Sequence, residues 1–168
     1  MNVTVAKSAG FCFGVKRAID TVYQEIEKGE KVFTLGPIIH NEQVVQELEE
    51  KGVQVINSIE ELADIKDGTV VIRSHGVSEQ VIRQLEKYDI KIVDATCPFV
   101  SKIHRIVQEK YREGFQIVII GNRTHPEVEG ILGCCKTPYR TFKTREELEN
   151  LFKNEPELAE MPLLFCEQ

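Results

Sequence analysis

The sequence predicts an α/β fold made of two consecutive small three-layer units with mostly parallel sheets. Three observations carry this. Short apolar runs alternate with amphipathic stretches along all 168 residues, the pattern of βαβ crossovers covered on both faces. The pattern restarts near Thr96 with no Pro-, Gly- or Ser-rich linker, so the two units should pack closely. Five of the apolar runs lead into a loop ending in cysteine or histidine, at Cys12, His40, His75, Cys97 and His125. In open α/β sheets ligands sit beyond the carboxyl ends of the strands, so these five residues are expected to share one site.

Each element has a local reason. Val3–Ala6 reads as a short strand. Gly14–Lys28 is a helix with an apolar stripe of Val15, Ala18, Ile19, Val22 and Ile26. Lys31–Leu35 is a strand, Glu42–Lys51 a helix carrying Val44, Val45 and Leu48, and Val53–Ile56 a strand. Ser58 and Glu61 form a capping box that opens a brief helix. Thr69–Arg73 is a buried strand, and Ser78–Tyr88 a helix with Val81, Ile82 and Leu85 inward. Ile90–Asp94 is a strand, Pro98–Glu113 a long helix, and Phe115–Gly121 a strand. Pro126–Leu132 is a short helix, Thr144 with Glu147 caps another through Phe152, and Pro162–Cys166 is a last strand. The expected organisation is an N-terminal strand and ligand loop over 1–12, a first α/β unit over 13–96 and a second, incomplete one over 97–168. The chain ends straight after an apolar strand with no covering element, as a fragment of a longer protein would.

Bulk composition excludes several classes. The chain is 42% hydrophobic and 29% charged with a net charge of −6, so it carries no general basic field for nucleic acid. The longest apolar run, near Ile117–Ile120, is far too short to span a bilayer. The N-terminus lacks the basic start and apolar stretch of a secretion signal, and a cytoplasmic protein is expected. The five cysteines are odd in number and unevenly spaced, and no CxxC occurs, which argues against a disulfide framework or a local zinc loop. P-loop, GxGxxG and GxSxG signatures are absent as well.

The candidate residues gain meaning from their positions. Cys97 precedes Pro98, the residue type favoured at the first helical position. That makes Cys97 the N-cap, where free N–H groups and the helix dipole suit an anionic thiolate ligand. Cys12 precedes Gly14, which allows a ligand to approach the backbone closely. His125 repeats the Cys97 design before Pro126, with Glu127 and Glu129 following, and a histidine beside a carboxylate can relay protons near neutral pH. Singly, His40 and His75 read as loop residues. Three imidazoles at strand ends next to helix N-termini make a workable phosphate site. Cys134, Cys135 and Cys166 read as packing residues, and His104, in mid-helix, receives no role. Lys16/Arg17 and Glu49/Glu50 read as solvated helix faces. Two rivals remain: a metal- or diphosphate-binding module without redox chemistry, and a structural fragment whose cysteines only pack. A zinc hydrolase would want a denser ligand set.

GFCFGVKRAI, IIHNEQVV, RSHGVS, DATCPFV and THPEVEG, in this order along essentially the whole chain, resemble the 4-hydroxy-3-methylbut-2-enyl diphosphate reductase (IspH/LytB) family. The resemblance implies a trefoil of three α/β units around a 4Fe-4S cluster held by three cysteines, with one iron free for substrate. Cys12 and Cys97 match the first two ligands. His40, His75 and His125 match the histidines around the substrate diphosphate, with His125 also near the reacting end. Glu127 matches the carboxylate that supplies protons as the allylic hydroxyl leaves. The implied reaction is a two-electron reductive dehydroxylation giving isopentenyl and dimethylallyl diphosphate, with electrons from a ferredoxin or flavodoxin type of carrier. The family's third cysteine belongs to the third α/β unit, which this chain lacks, as do the Ser and Asn residues of its diphosphate pocket. Its QTT segment would begin at Gln168. The chain alone is therefore expected to hold an incomplete or labile cluster and to show little activity.

Overall fold

The computed structural model describes residues 2–65, 67–136 and 140–167; Gln168, where the QTT segment would begin, lies outside them. The structure has two parallel sheets. Strands β1 (Val32–Leu35), β2 (Gln54–Ile56), β3 (Thr69–Ile72) and β4 (Lys91–Asp94) form the first, in the order β2-β1-β3-β4. Strands β5 (Gln116–Ile120), β6 (Arg140–Phe142) and β7 (Leu163–Glu167) form the second, in the order β6-β5-β7. All described pairings are parallel, with Val32 opposite Thr69, Thr69 opposite Lys91 and Ile117 opposite Leu164.

The helices are α1 (Phe13–Glu27), α2 (Glu42–Glu50), α3 (Glu79–Leu85), α4 (Pro98–Arg112), α5 (Pro126–Leu132) and α6 (Arg145–Asn154). They start where the sequence provides caps. Asn41 accepts from the Val44 N–H at 3.0 Å, Ser78 from the Val81 N–H at 3.2 Å and Thr144 from the Glu147 N–H at 3.2 Å. The Ser58–Glu61 capping box is present and opens a 3-10 turn over Ile59–Asp64. A second such turn, Pro156–Glu160, and the strand β6 have no counterpart among the elements expected from sequence.

Period-two alternation splits the first sheet between two cores. Val32 and Val71 face α1 and α2, packing with Ala18, Val22 and Leu48. Phe33, Val70 and Ile72 face the opposite way, against Leu62 of the 3-10 turn and Leu85 of α3. The result is three layers. In the second half Ile117 and Ile119 pack with Val107 of α4 and with Val128 and Ile131 of α5. Helix α6 buries no residue fully.

One expectation fails. Val3–Ala6 is not a strand. Val3 and Val5 are each 74% exposed, so the alternating pattern buries nothing, and the described sheets give the segment no neighbouring strand. A strand needs a partner for its N–H and C=O groups. The segment leads toward α1 without regular structure, through a turn in which the Ala6 carbonyl accepts from the Ala9 N–H at 3.0 Å, and only four of the five cysteine or histidine loops follow strands.

Candidate active site

Both sheets have a topological switch, and the histidines mark it. The chain leaves β1 toward β2 on one side and returns to β3 on the other; β5 likewise sits between β6 and β7. His40 follows β1, His75 follows β3 and His125 follows β5. The crevice outside the carboxyl ends of strands at such a point is where open sheets hold ligands.

Hydrogen bonds extend the ladder of the first sheet beyond its strands and fix these loops. The Ile38 carbonyl accepts from the Ser74 N–H at 3.2 Å and from its hydroxyl at 3.1 Å, and the Ser74 carbonyl accepts from the Cys97 N–H at 2.9 Å. The His40 loop, the His75 loop and the Cys97 turn are thereby joined in sequence. The Asp94 carboxylate shapes the Cys97 turn by accepting from the Thr96 N–H at 2.8 Å and from the Thr96 hydroxyl. His125 is reached from the second sheet. There Gly133, the C-cap of α5, lies so close to Ser78 that a Cβ on it would stand 2.0 Å from the Ser78 Cβ, so glycine lets the end of α5 dock on the start of α3.

Three imidazoles meet as a result. Ring centroids lie 4.3 Å apart for His40 and His75, 5.4 Å for His40 and His125, and 6.0 Å for His75 and His125. His40 is exposed, His75 and His125 half-buried. Burial first, then the neighbouring His40, Arg73 and His125, push His75 down to about 4, so its ring is neutral near pH 7. Its Nδ1 is buried and has no hydrogen-bond partner among the described residues. His125 caps α5: its Nδ1 accepts from the Glu127 N–H at 3.3 Å. A neutral His125 ring therefore carries its proton on Nε2, the nitrogen left to face a ligand. Glu127 sits half-buried in the first turn of the same helix.

The two thiols form the second element. Cys12 is the exposed N-cap of α1 and Cys97 the half-buried N-cap of α4, and neither side chain makes a capping hydrogen bond. Cys97 comes against Gly14, two residues after Cys12, where a Cβ would stand 2.4 Å from the Cys97 Sγ. Only glycine lets the Cys97 sulfur lie against the first turn of the helix that Cys12 opens. Arg17 ties that helix to the same turn by donating to the Thr96 carbonyl at 2.9 Å and the Asp94 carbonyl at 3.4 Å. The solvated-face reading of Arg17 is thus corrected: one turn beyond Cys12, its reach is spent on the backbone beside Cys97. Phe11, Phe13 and Phe99 around the thiols are 50%, 66% and 69% exposed. Among the described residues no group of three His, Cys, Asp or Glu side chains is arranged to hold a metal ion. Two thiols at helix N-termini, one packed against the first turn of the helix the other opens, do fit two of the ligands of an iron–sulfur cluster that takes its remaining ligand elsewhere.

The other cysteines behave as packing groups. Cys134, Cys135 and Cys166 lie against the core of the second sheet. Burial pushes the Cys134 thiol up to about 12 and Cys135 up to about 11, and raises Cys166 as well. Their surroundings oppose the thiolate form that a metal needs.

Known proteins are similar to this chain in sequence and fold. The family model described as LytB protein matches residues 3–168. The 4-hydroxy-3-methylbut-2-enyl diphosphate reductase of Clostridioides difficile is 45% identical over 152 residues, covering 90% of this chain and 54% of that protein. The protein of the same name from a Thermoanaerobacter species is 49% identical over 154 residues, covering 90% and 53%. The solved structure of the E-1-hydroxy-2-methyl-but-2-enyl-4-diphosphate reductase from Plasmodium falciparum matches with a TM-score of 0.85 at 31% identity, over 96% of this chain and 49% of that one. A solved (E)-4-hydroxy-3-methyl-but-2-enyl diphosphate reductase, the terminal enzyme of the non-mevalonate pathway, matches with a TM-score of 0.74 at 35% identity, over 98% and 66%. The chain spans about half the length of the curated relatives it matches. The α/β architecture, the converging motifs and these likenesses agree, and the chain belongs to the LytB family.

Proposed function

We propose that this chain carries the diphosphate site and two of the three cluster ligands of a 4-hydroxy-3-methylbut-2-enyl diphosphate reductase. The supporting observation is the meeting of three imidazoles, with centroids 4.3 to 6.0 Å apart, beside a loop bonded to the turn that presents Cys97.

In this reading His40, His75 and His125 hold the substrate diphosphate in a protein of net charge −6. They need not be cationic beforehand. An entering diphosphate favours the charged form of an imidazole next to it, and His125 already offers an N–H from Nε2. When bound, a 4Fe-4S cluster held by Cys12, Cys97 and a third thiolate supplies electrons and Lewis-acid pull on the allylic hydroxyl. Glu127, held on the His125 helix, is the proton source as that hydroxyl departs. The balance is simple: one carbon–oxygen bond breaks, two electrons and two protons are taken up, and water leaves with isopentenyl or dimethylallyl diphosphate. The electrons come from a ferredoxin or flavodoxin type of carrier. The chemistry suits the cytoplasm, a reducing compartment that keeps the five free thiols reduced. No helix among the described residues is long and apolar enough to cross a membrane.

The organisation proposed is a ligand loop over 1–12 and α/β units over 13–96 and 97–168. In the longer relatives the part beyond this span would form the third unit, supply the third thiolate and cover the exposed phenylalanines. The 168-residue chain alone then holds a labile cluster and turns over little substrate. Anaerobic reconstitution with iron and sulfide tests this: visible sulfur-to-iron absorbance that bleaches readily and is lost in Cys12→Ser and Cys97→Ser is the expected result. Full enzyme turnover by the 168-residue chain, or iron content indifferent to both substitutions, would sink the reading.

A further inference from the structure

His104 lies in the middle of α4, one turn beyond the end of the DATCPFV motif, and the site has no role for it so far. Its surroundings are specific. A Cβ built on Gly76, the residue after His75, would meet the His104 Cε1 at 3.0 Å. A Cβ on Gly130, three residues after Glu127, would meet the His104 Cε1 and Nε2, each at 3.0 Å, and the His75 carbonyl oxygen at 3.5 Å. One edge of this imidazole is therefore inserted where two glycines from two different motifs approach each other, and Gly130 also rests against the backbone of His75. Gly76 and Gly130 are both buried. Gly76 has φ +71, so glycine serves that turn twice: it adopts the left-handed conformation and leaves room for the ring.

The polar edge of the ring carries a second, independent signal. The His104 Nε2 is buried and has no hydrogen-bond partner among the described residues. Burial also disfavours protonation of the ring, with Asp94 pulling weakly the other way. A buried, unpartnered nitrogen is unfavourable in a core that needs only volume. What a flat five-membered ring offers, and a branched aliphatic side chain does not, is an edge thin enough to enter a seam between two glycines.

We propose that His104 is a positioning residue. Its imidazole is the spacer that sets how closely the loop bearing His75 and the helix bearing His125 and Glu127 approach one another. The link to diphosphate reduction rests on the function proposed above, whereas the spacing itself does not.

The test separates the two. Imidazole side-chain NMR of the 168-residue chain reads the ring currents of His40, His75 and His125, and so their mutual placement. It is run on the wild type, His104→Ala, Gly130→Ala, the double variant and His104→Gln, with circular dichroism and cooperative unfolding as checks of the fold. Gly130→Ala drives a methyl into the seam, and His104→Ala empties it. Both are expected to displace the His75 and His125 ring signals, and the double variant, whose new methyl occupies the space the ring vacated, to return them toward the wild type. His104→Gln, which keeps length and polarity but not the flat ring, is expected to shift them less than His104→Ala. A residue that merely fills the core would lower the unfolding midpoint without moving these signals. Unmoved signals in the folded single variants would overturn the proposal, as would failure of every His104 variant to fold. Titration with inorganic pyrophosphate is read separately. Displaced signals with affinity weakened about tenfold or more support both proposals. A wild type that binds no pyrophosphate sinks the diphosphate reading and leaves the ring signals to decide on His104.

Discussion

The molecule carries two sets of cysteines in contrasting surroundings. Cys12 and Cys97 stand at helix N-termini, one exposed and one half-buried, with the Cys97 sulfur against Gly14. Cys134, Cys135 and Cys166 pack against Val107, Ile117 and Val128 in the core of the second sheet, and the Cys134 sulfur donates to the Gly130 carbonyl at 3.3 Å. Residue type is the same; what differs is the helix N-terminus beside the first pair, the apolar core beside the other three and, for Cys12 alone, exposure to solvent. A thiol becomes a ligand or nucleophile only as thiolate, and an apolar surrounding opposes that ionisation. Thiolate character here follows from where the backbone turns, not from how many cysteines the chain contains.

The largest expected effect would break this contrast directly. With Cys134 raised to about 12 and Cys135 to about 11, only about one part in ten thousand to one in a thousand of these thiols is ionised at pH 8. Iodoacetamide followed by peptide mass spectrometry should label the exposed Cys12 first, and Cys134 and Cys135 orders of magnitude later. Equal labelling of all five would remove the distinction.

A smaller effect probes Gly14, the glycine that receives the Cys97 sulfur. In Gly14→Ala the new methyl would lie 2.4 Å from the Cys97 Sγ, so sulfur or helix must move. Overpacking of this kind costs roughly 1–3 kcal/mol, read as a lower urea midpoint, and iron uptake should fall with it. Gly29→Ala is the control, because nothing lies within 4 Å of its Cβ position; its own strain, at φ +78, affects stability but not iron. Gly14→Ala with undiminished iron uptake would show that the two thiols need not share this turn.

The smallest effect concerns the imidazoles. Because the folded state holds His75 near 4 against an ordinary 6.5, the unfolded chain binds more protons between those values. Stability is therefore full above about pH 6.5 and declines as pH falls toward 4. His75→Gln should flatten the acid limb of the stability curve, measured by denaturant melts at several pH values. An unchanged limb would mean that the ring is not held neutral by its burial and its neighbours.

Much of the fold is legible in the residues alone. Cys97-Pro98 and His125-Pro126 announce helix starts, and both residues are N-caps. Ser58 with Glu61 and Thr144 with Glu147 announce two more. These signals are local, a side chain and a backbone N–H within one turn, so sequence suffices to read them. The strand expected at Val3–Ala6 does not form because alternation says nothing about whether a neighbouring strand exists. The three-residue strand β6 is too short to carry a period.

The alternation of strands and helices and the residues that end each loop are written in the chain, because short-range sterics, capping and burial periodicity decide them; the family resemblance is carried by its motifs. Only the tertiary structure decided that His40, His75 and His125 face one another, that Gly14 receives the Cys97 sulfur, that Arg17 grips the Thr96 carbonyl, and that His104 enters the seam between Gly76 and Gly130. Each of those joins residues tens of positions apart, and which of them meet depends on strand order and on how two sheets pack, for which no local pattern of residues carries a signal.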